Sequence, residues 1–408
     1  MTSTPTVAPT TAAANSTRSR KKVVEPLATP SVPALEASVL QEHLKRTLAK
    51  ALHAVAPKST MPILGHVLLV AEGSQLTISA TNLEIGIAVT VAAKIARPGA
   101  IALPAKLLSD VVGSLPNEAI ALAMDPRAMS VTLTCGAFEA TIKGIAAEEF
   151  PSIPTIAGRA AAATFAPEAL CSAVSQVAFA ASSDDTRPVL TGMRISLAGT
   201  VASFAAADSF RIAFRIIALE TAVAAPAEVV VPARAMTTLG KVLADVDGTV
   251  EQLVNDDYVI FRADEVELVA RCIEGAYPAV DRYLNLAFGT VAEISTKELA
   301  RAIKLASYFA TTSANIVRLQ LSPVAVGAGK LTISANAAEV GENSSAHDAA
   351  IRGAGGIVAL NVTFLADGID AISTPTIAIH YNTPQQPIVL KGVGDETYTH
   401  VAMPMTVR

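Results

Sequence analysis

The sequence lacks any long, strongly apolar run. Its most apolar region, from Ala160 to Ala181, consists mainly of alanine and also contains Glu168 and Gln176. A helix needs about 20 predominantly apolar residues to cross a bilayer. We therefore predict a soluble protein.

Cysteine is scarce as well. The three cysteines, Cys135, Cys171 and Cys272, lie far apart in the chain, and neither a Cys-x-x-Cys motif nor a histidine cluster accompanies them. Isolated cysteines of this kind are typical of small buried side chains in a reducing compartment. The sequence therefore predicts neither a disulfide framework nor a zinc site.

Motifs of catalysis are missing too. The segment VAVGAGKLT resembles a phosphate-binding loop, but Val324 replaces its first glycine and Leu331 replaces its magnesium-binding hydroxyl residue. Adjacent acids such as Asp184 and Asp185 usually point apart or lie in solvated loops, and no second histidine is suitably spaced from His347. We predict a non-catalytic protein without a cofactor or a metal. Two alternatives stay open: a hydrolase on a repeat scaffold, suggested by the acid pairs and His347, and a structural repeat protein without ligands.

The N-terminal segment 1–33 differs in kind from the rest. It is rich in Thr, Ser, Ala and Pro, and it carries four basic residues against one acidic residue, Glu25. Such a segment buries too little apolar surface to order itself, so residues 1–33 are predicted to form a disordered tail. Nearly all of the acidic residues therefore lie in the rest of the chain, where they outnumber the basic ones. This balance argues against a protein that adheres to nucleic acid through its overall charge.

The motif LTISA occurs twice, at 76–80 and at 331–335, and a related segment lies between the two copies. Ala80, Ala207 and Ala335 occupy the same place in these segments, and the two steps between them differ by a single position. Pro104 and Pro232, which precede similar apolar segments, are separated by the same step as Ala207 and Ala335. A shared period at separate landmarks indicates a tandem triplet. The predicted domains cover residues 34–157, 158–288 and 289–408.

Each unit repeats the same order of predicted elements. A helix comes first, with an apolar stripe that in the first unit includes Leu40, Leu44 and Leu48. Ser295 and Glu298 form a capping-box pattern at the start of the corresponding third-unit helix. Strand-like runs and a second short helix follow. Because consecutive strands outnumber the helices, we predict an α+β class of antiparallel sheets with helices packed on one side.

Several stretches in these repeats carry a family resemblance. They are STMPILGHVLL, LTISATNLEIGI, LPAKLLSDVVGSLP, DDTRPVLTGM, ADSFRIA, YPAVDRYL, ALNVTFL and the terminal YTHVAMPM. Through them the chain from about Ala34 to its end resembles the bacterial DNA sliding clamp, the beta subunit of the replicative DNA polymerase III holoenzyme. The resemblance implies three tandem domains of the DNA-clamp fold, each with antiparallel sheets and two helices.

The resemblance also implies a function. It implies a homodimer that closes head to tail into a six-domain ring around duplex DNA, without reading its sequence, and that tethers the replicative polymerase for processive DNA replication. Further implied partners are the clamp loader ATPase, repair and translesion polymerases, mismatch repair proteins and ligase. No cofactor or membrane is implied, and the location would be the cytoplasm, in association with the nucleoid.

Carried over residue by residue, the resemblance nominates three sets of site residues. The DNA-facing set is Lys45, Arg46, Lys50, Lys58, Arg187, Lys297, Arg301 and Lys304. The peptide-binding pocket is Leu190, Ser209, Phe210, Arg211, Ile212, Pro278, Arg282, Tyr283, Asn361, Phe364, Pro387, Val401, Met403, Pro404 and Met405. The dimer interface is Phe138 against Tyr308 and Phe309.

The spacing, charge and size of the residues bear on these three sets as well. Lys297, Arg301 and Lys304 are spaced i, i+4 and i+7, which places them on one helix face. The first helix of the second unit carries no basic residue, and Arg234 and Lys241 on the next helix are candidates to compensate. Pocket members such as Leu190, Ile212 and Val401 could equally be ordinary core. The altered ending MPMTVR and the bulk of Phe210 and Tyr283 leave open a specialised second clamp with a shifted partner preference.

Overall fold

The structure is a computed structural model that describes residues 1–3, 35–154, 160–255, 257–284, 286–325 and 328–406. The predicted disordered tail falls almost entirely outside the described residues. Within them, three units follow one another, and each contains two α-helices and a long series of strands.

Unit one begins at β1 and ends at β9. Its helices are α1 (Gln41–Ala51) and α2 (Ala105–Ser114). Its strands are β1 (Glu36–Leu40), β2 (His66–Glu72), β3 (Gln75–Thr81), β4 (Ile85–Ala92), β5 (Lys94–Arg97), β6 (Gly99–Pro104), β7 (Ala119–Asp125), β8 (Ser130–Cys135) and β9 (Phe138–Lys143). The predicted apolar stripe is correct for Leu44 and Leu48, which are fully buried, but wrong for Leu40, which ends β1 and is 51% exposed.

Unit two repeats this order without a counterpart of β5. Its helices are α3 (Pro167–Val177) and α4 (Ala233–Val242). Its strands are β10 (Ala163–Phe165), β11 (Gly192–Ala198), β12 (Val201–Ala207), β13 (Arg211–Ala218), β14 (Ala227–Pro232), β15 (Val250–Val254), β16 (Tyr258–Ala263) and β17 (Val266–Arg271).

Unit three closes the described chain. Its helices are α5 (Thr296–Ala310) and α6 (Val362–Asp370). Its strands are β18 (Thr290–Ser295), β19 (Ile316–Ser322), β20 (Gly329–Ala337), β21 (Gly341–Arg352), β22 (Gly356–Asn361), β23 (Thr376–Tyr381), β24 (Ile388–Gly392) and β25 (Asp395–Ala402). The capping box predicted at Ser295 is wrong, because the Ser295 side chain makes no capping hydrogen bond.

All pairings between these strands are antiparallel, and the two helices of each unit contact one another and pack against the sheets. The predicted α+β class is confirmed. Apolar side chains that alternate along the strands meet the buried stripes of the helices, so that one core runs through units one and two and another fills unit three.

Two sheets cross from one unit to the next. Strand β4 of unit one pairs with β17, the last strand of unit two, and Val89 lies opposite Val266. Strand β13 of unit two pairs in the same way with β25, the last strand of unit three, and Ile212 lies opposite Val401. The two junctions are therefore equivalent: β4 in unit one and its counterpart β13 in unit two each pair with the last strand of the following unit.

Candidate functional sites

A cleft of about 410 Å³ lies where unit two meets unit three. Its lining comprises Phe210, Asn361, Phe364, Met403, Pro404, Met405 and Thr406. All of these except Thr406 belong to the pocket predicted from the sequence. The structure brings them together although they come from segments that are distant in the chain.

The turn between β12 and β13 presents Phe210 to this cleft. The Asp208 carboxylate accepts hydrogen bonds from the backbone N–H groups of Phe210, at 2.7 Å, and of Arg211, at 2.8 Å. An aspartate that bonds its own backbone two residues on stabilises a tight turn. The Phe210 side chain consequently stands at the tip of the turn and is 59% exposed.

Helix α6 supplies the opposite wall. The Asn361 side chain caps this helix, because its Oδ1 accepts hydrogen bonds from the N–H groups of Thr363 and Phe364. The cap places Phe364 in the first helical turn, where its ring stacks on Phe210 with 6.4 Å between the centroids. Two stacked aromatic rings thus line an open apolar cleft.

The segment that follows β25 forms the third wall. The Met403 N–H donates to the Phe210 carbonyl and the Met405 N–H donates to the Ala359 carbonyl, both at 2.8 Å. These two bonds hold the segment between unit two and strand β22 of unit three. Met403 and Met405 are half-buried, and unbranched methionine side chains adapt readily to different apolar ligands.

Arg211 lies behind the aromatic pair and ties the two units together. Its Nε donates to Asp208 Oδ2 at 3.0 Å, its Nη1 donates to Asp367 on α6, and its Nη2 donates to the Phe179 carbonyl at 2.7 Å. Its guanidinium carbon also lies 4.5 Å from the centroid of the Phe364 ring. The side chain is only 11% exposed, so Arg211 acts from within the wall of the cleft.

His400 lies deeper in the protein than Arg211. The residue is fully buried on β25, where its ring lies 5.9 Å from that of Phe179, and a Cβ added at Gly368 would come within 2.3 Å of the ring. Burial, followed by the charge of Arg211, lowers the pKa of His400 to about 3. The ring is therefore neutral in the folded protein at ordinary pH.

The remaining predicted pocket residues do not line this cleft. Ile212 and Val401 face each other across the β13–β25 junction and are 5% and 1% exposed, so they are core rather than open surface. Arg282 donates to the Tyr283 hydroxyl at 2.9 Å. Sequence reasoning missed Asp367, although it lies one helical turn beyond Phe364. The structure leaves the other predicted members at the surface or half-buried: Leu190, Ser209, Pro278, Arg282, Tyr283 and Pro387.

Helix α5 carries an exposed row of cations. Lys297, Arg301 and Lys304 are all exposed on this helix. The ion pairs described for unit three use other cations, namely Lys330, Arg352 and Lys391. Within the described residues, the charges of the α5 row are thus left without a carboxylate partner.

The corresponding cations of unit one are partly used inside the chain. Lys50 Nζ lies 2.6 Å from Asp245 of unit two, and its side chain is only 13% exposed. The hydrogen bond from Lys50 holds the pKa of Asp245 below its ordinary value. Arg46 lies 3.8 Å from Glu265 in a more exposed pair. Lys50 therefore connects units one and two, whereas Lys45 remains exposed.

Two other predicted DNA-facing residues lie on loops. Lys58 is exposed in a turn after α1, and Arg187 is exposed and donates to the Ser209 hydroxyl at 3.3 Å. A polar cleft of about 430 Å³ between units one and two contains Arg234 and Lys241, the cations considered for unit two. The cleft also contains Glu84 and Asp185, which offset part of that charge.

The predicted interface aromatics differ in exposure. Phe138, at the start of β9, is 58% exposed, and Tyr308, on the last turns of α5, is 63% exposed. Phe309 is half-buried on α5 and packs against the core of unit three. Phe138 and Tyr308 thus offer apolar area at the surface.

His347 does not share a site with the neighbouring Asp348. His347 Nε2 lies 3.0 Å from the Ser345 hydroxyl on the same strand, but Asp348 pairs with Lys330 at 2.7 Å and lies on the other face of that strand. Among the described residues no group of three or more His, Cys, Asp or Glu side chains could hold a metal ion, and no helix is long and apolar enough to cross a bilayer.

Comparisons with known proteins agree along the whole body of the chain. Models of the DNA polymerase III beta subunit match residues 35–154 as its N-terminal domain, 164–279 as its central domain and 286–406 as its C-terminal domain. A protein of Synechococcus elongatus described as a beta sliding clamp is 32% identical over 376 residues, covering 90% of this chain and 98% of its own length. The chain belongs to the bacterial DNA sliding clamp family.

Further relatives of this clamp are more distant but equally complete. A beta sliding clamp of Streptomyces coelicolor is 29% identical and covers 90% of this chain and 98% of its own length. The crystal structure of the beta subunit from DNA polymerase of Streptococcus pyogenes is 26% identical, covers 91% of this chain and 100% of that one, and superposes with a TM-score of 0.85. The Bacillus subtilis sliding clamp, 24% identical with 92% and 100% coverage, has the same fold with a TM-score of 0.86.

Proposed function

We propose that two copies of this clamp close head to tail into a ring around duplex DNA and tether the replicative polymerase to it. The observation that carries this proposal is the repeated sheet junction. Within the chain, β4 pairs with β17 and β13 pairs with β25. The counterpart of β4 and β13 in unit three is β21, and the counterpart of β17 and β25 in unit one is β9. Among the described residues, neither of these two strands takes part in a junction within the chain.

Both leftover strands have a free edge. Strand β9 is the last strand of a five-stranded sheet, and residues 341–349 of β21 pair only with β20 within the described residues. Unpaired strand edges invite pairing with another chain. If the same junction forms between two copies, the contact joins different surfaces of the two chains and is heterologous. The resulting ring closes after two chains if the three units of each chain span half a turn.

The repeat period predicts the register of this junction. The step along the chain that carries Ala207 to Ala335 also carries Phe138 to Val266. Ile78 and Ile333 hold the same place in the two LTISA copies, and they lie opposite Val89 and Ser345 respectively, so Ser345 is the counterpart of Val89. Val266 and Val89 lie opposite each other in the structure. We therefore expect Phe138 of one protomer opposite the equivalent of Val89 in its partner, with the exposed Phe138 ring buried on assembly. That equivalent is Ser345.

The row of cations on α5 supports a central hole that tolerates DNA. The row presents three positive charges to any phosphate backbone nearby, and its contacts would be independent of sequence. Because the chain as a whole is acidic, DNA would be held by enclosure rather than by adhesion to the outer surface. Lys45, Lys58 and Arg187 are proposed to join this surface.

The cleft between units two and three is proposed as the tethering site. Its stacked aromatic rings and adaptable methionines suit short apolar peptide segments, which the polymerase, the clamp loader and repair partners would present in turn. Tethering raises the effective concentration of a weakly bound polymerase at the primer end. The proposed role is non-catalytic, requires no cofactor and takes place in the cytoplasm.

A topological assay tests the proposed function. The protein is loaded by a matching clamp loader onto a nicked circular plasmid, and the retained fraction is measured before and after one cut in the plasmid. We expect retention on the circle and rapid loss after linearisation. Equal retention on both forms would show surface binding and would contradict the ring. A plasmid cut but blocked at both ends by bound protein is the control.

A further inference from the structure

A second cleft of about 450 Å³ lies on the other side of the C-terminal segment. The segment Pro404–Thr406 lines both clefts, so the two are separated only by this short stretch of chain. The second cleft further contains Arg318 on β19, Ile357 and Ala359 on β22, and the loop residues Pro384 and Gln385.

One strand forms a continuous floor beneath both clefts. Along β22, Val358 and Leu360 point into the core of unit three, where they are 1% and 0% exposed. The alternating residues Ile357, Ala359 and Asn361 therefore point outward. Asn361 lines the first cleft and Ile357 lines the second, and the Met405 N–H bonds to the Ala359 carbonyl between them at 2.8 Å.

Arg318 gives the second cleft its charge. Among the residues that line the cleft, it is the one ionisable side chain. Its cross-strand neighbours are the small residues Ala359 and Ser334, which leave the guanidinium exposed. On the neighbouring strand Lys330 is paired with Asp348 at 2.7 Å, whereas Arg318 has no carboxylate partner within the described residues.

We propose that this second cleft binds an acidic and apolar flank of the peptide whose apolar core occupies the first cleft. The inference rests on the proposed tethering function and extends it. A flanking carboxylate would pair with Arg318, and an adjacent apolar side chain would cover Ile357, which is 50% exposed. Arginine suits this task because its planar guanidinium binds a carboxylate through two hydrogen bonds.

Synthetic fluorescent peptides test the inference. All share one apolar core of two leucines and a phenylalanine and differ in a flank of Glu-Leu, Ala-Ala or Lys-Leu, placed before the core in one set and after it in another. Binding is measured by fluorescence anisotropy to the full chain. We expect the Glu-Leu peptide of one set to bind about two- to fivefold more tightly than its Ala-Ala counterpart. High salt should reduce the difference.

Two variants identify the group responsible. Arg318→Gln should abolish the preference for Glu-Leu and leave the affinity for Ala-Ala unchanged. Lys330→Gln, a matched exposed cation that already has a partner, should keep the preference. Equal affinities for all flanks, or a preference that survives Arg318→Gln, would overturn the inference. If peptide binding in that case is still lost in Phe364→Ala, the result supports the first cleft as the peptide-binding site.

Failure of the underlying function gives a different result. If no peptide of either set binds the wild-type chain, or if binding is insensitive to Phe364→Ala, both the tethering site and its extension are overturned. Circular dichroism of each variant shows whether the fold is intact.

Discussion

Arg211 offers the sharpest test of how the cleft is built. Three groups accept its hydrogen bonds, from Asp208 and Phe179 in unit two and from Asp367 in unit three. Replacing it with alanine leaves two carboxylates without their cation at the junction. Removing one partner of a buried ion pair costs about 3–5 kcal/mol. Because Asp208 is 15% and Asp367 37% exposed, water restores part of that loss, and we expect a cost of about 2–3 kcal/mol.

The same change should loosen the wall of the cleft. Phe364 loses the cation 4.5 Å from its ring centroid, a contact worth about 0.5–2 kcal/mol. We expect about three- to tenfold weaker binding of an apolar peptide to Arg211→Ala. Hydrogen exchange should show faster amide exchange in β13 and β25, and fluorescence anisotropy gives the affinity.

Arg215 supplies the matched control. It lies further along the same strand and donates to Asp395 at 2.7 Å with a 20% exposed side chain. Arg215→Ala should destabilise the junction without weakening the peptide complex. If Arg211→Ala weakens peptide binding no more than Arg215→Ala does, Arg211 does not position the aromatic wall and the reasoning is refuted.

Three further predictions follow from the same structure. In a background without the native cysteines, Phe138→Cys combined with Ser345→Cys should form a covalent dimer under mild oxidation, whereas Phe138→Cys with Glu339→Cys should not; equal yields would refute the register. The pKa of His400 is about 3 in the folded chain against an ordinary value of 6.5. The unfolded chain therefore binds the proton first, and stability should be complete above pH 6.5 and fall as the pH drops towards 3, by less in His400→Leu; identical pH profiles of urea denaturation would contradict this. Reversing the charges of Lys297, Arg301 and Lys304 should abolish retention on circular DNA while peptide affinity stays unchanged, and unaltered retention would remove α5 from the DNA-facing surface.

Much of the fold can be read from local patterns. The stripe of Leu44 and Leu48 has helical spacing, so the burial of these two residues was predictable. Leu40 was not, because β1 reaches into the position where the helical pattern alone would place another buried residue. Propensity and periodicity describe one element at a time and cannot show where a neighbouring strand ends.

The site residues divide in the same way. The family resemblance nominated Phe210 and Phe364, and the structure stacks them, but it also turns Ile212 and Val401 into core because the junction strands bury one face of the sheet. Lys50 reads as a free cation in sequence. It becomes a link between units because Asp245, which belongs to the following unit, lies 2.6 Å from it.

Periodicity and motifs alone predict that three similar units follow one another, that each combines helices with antiparallel strands, and that the chain belongs among sliding clamps. These properties follow from periods and motifs that are local or simply repeated. Which strands join the units, which cations lack a carboxylate partner and where the cleft opens become visible only in the folded chain. Those outcomes depend on contacts between residues far apart in the chain, and only the folded sheet brings such residues together.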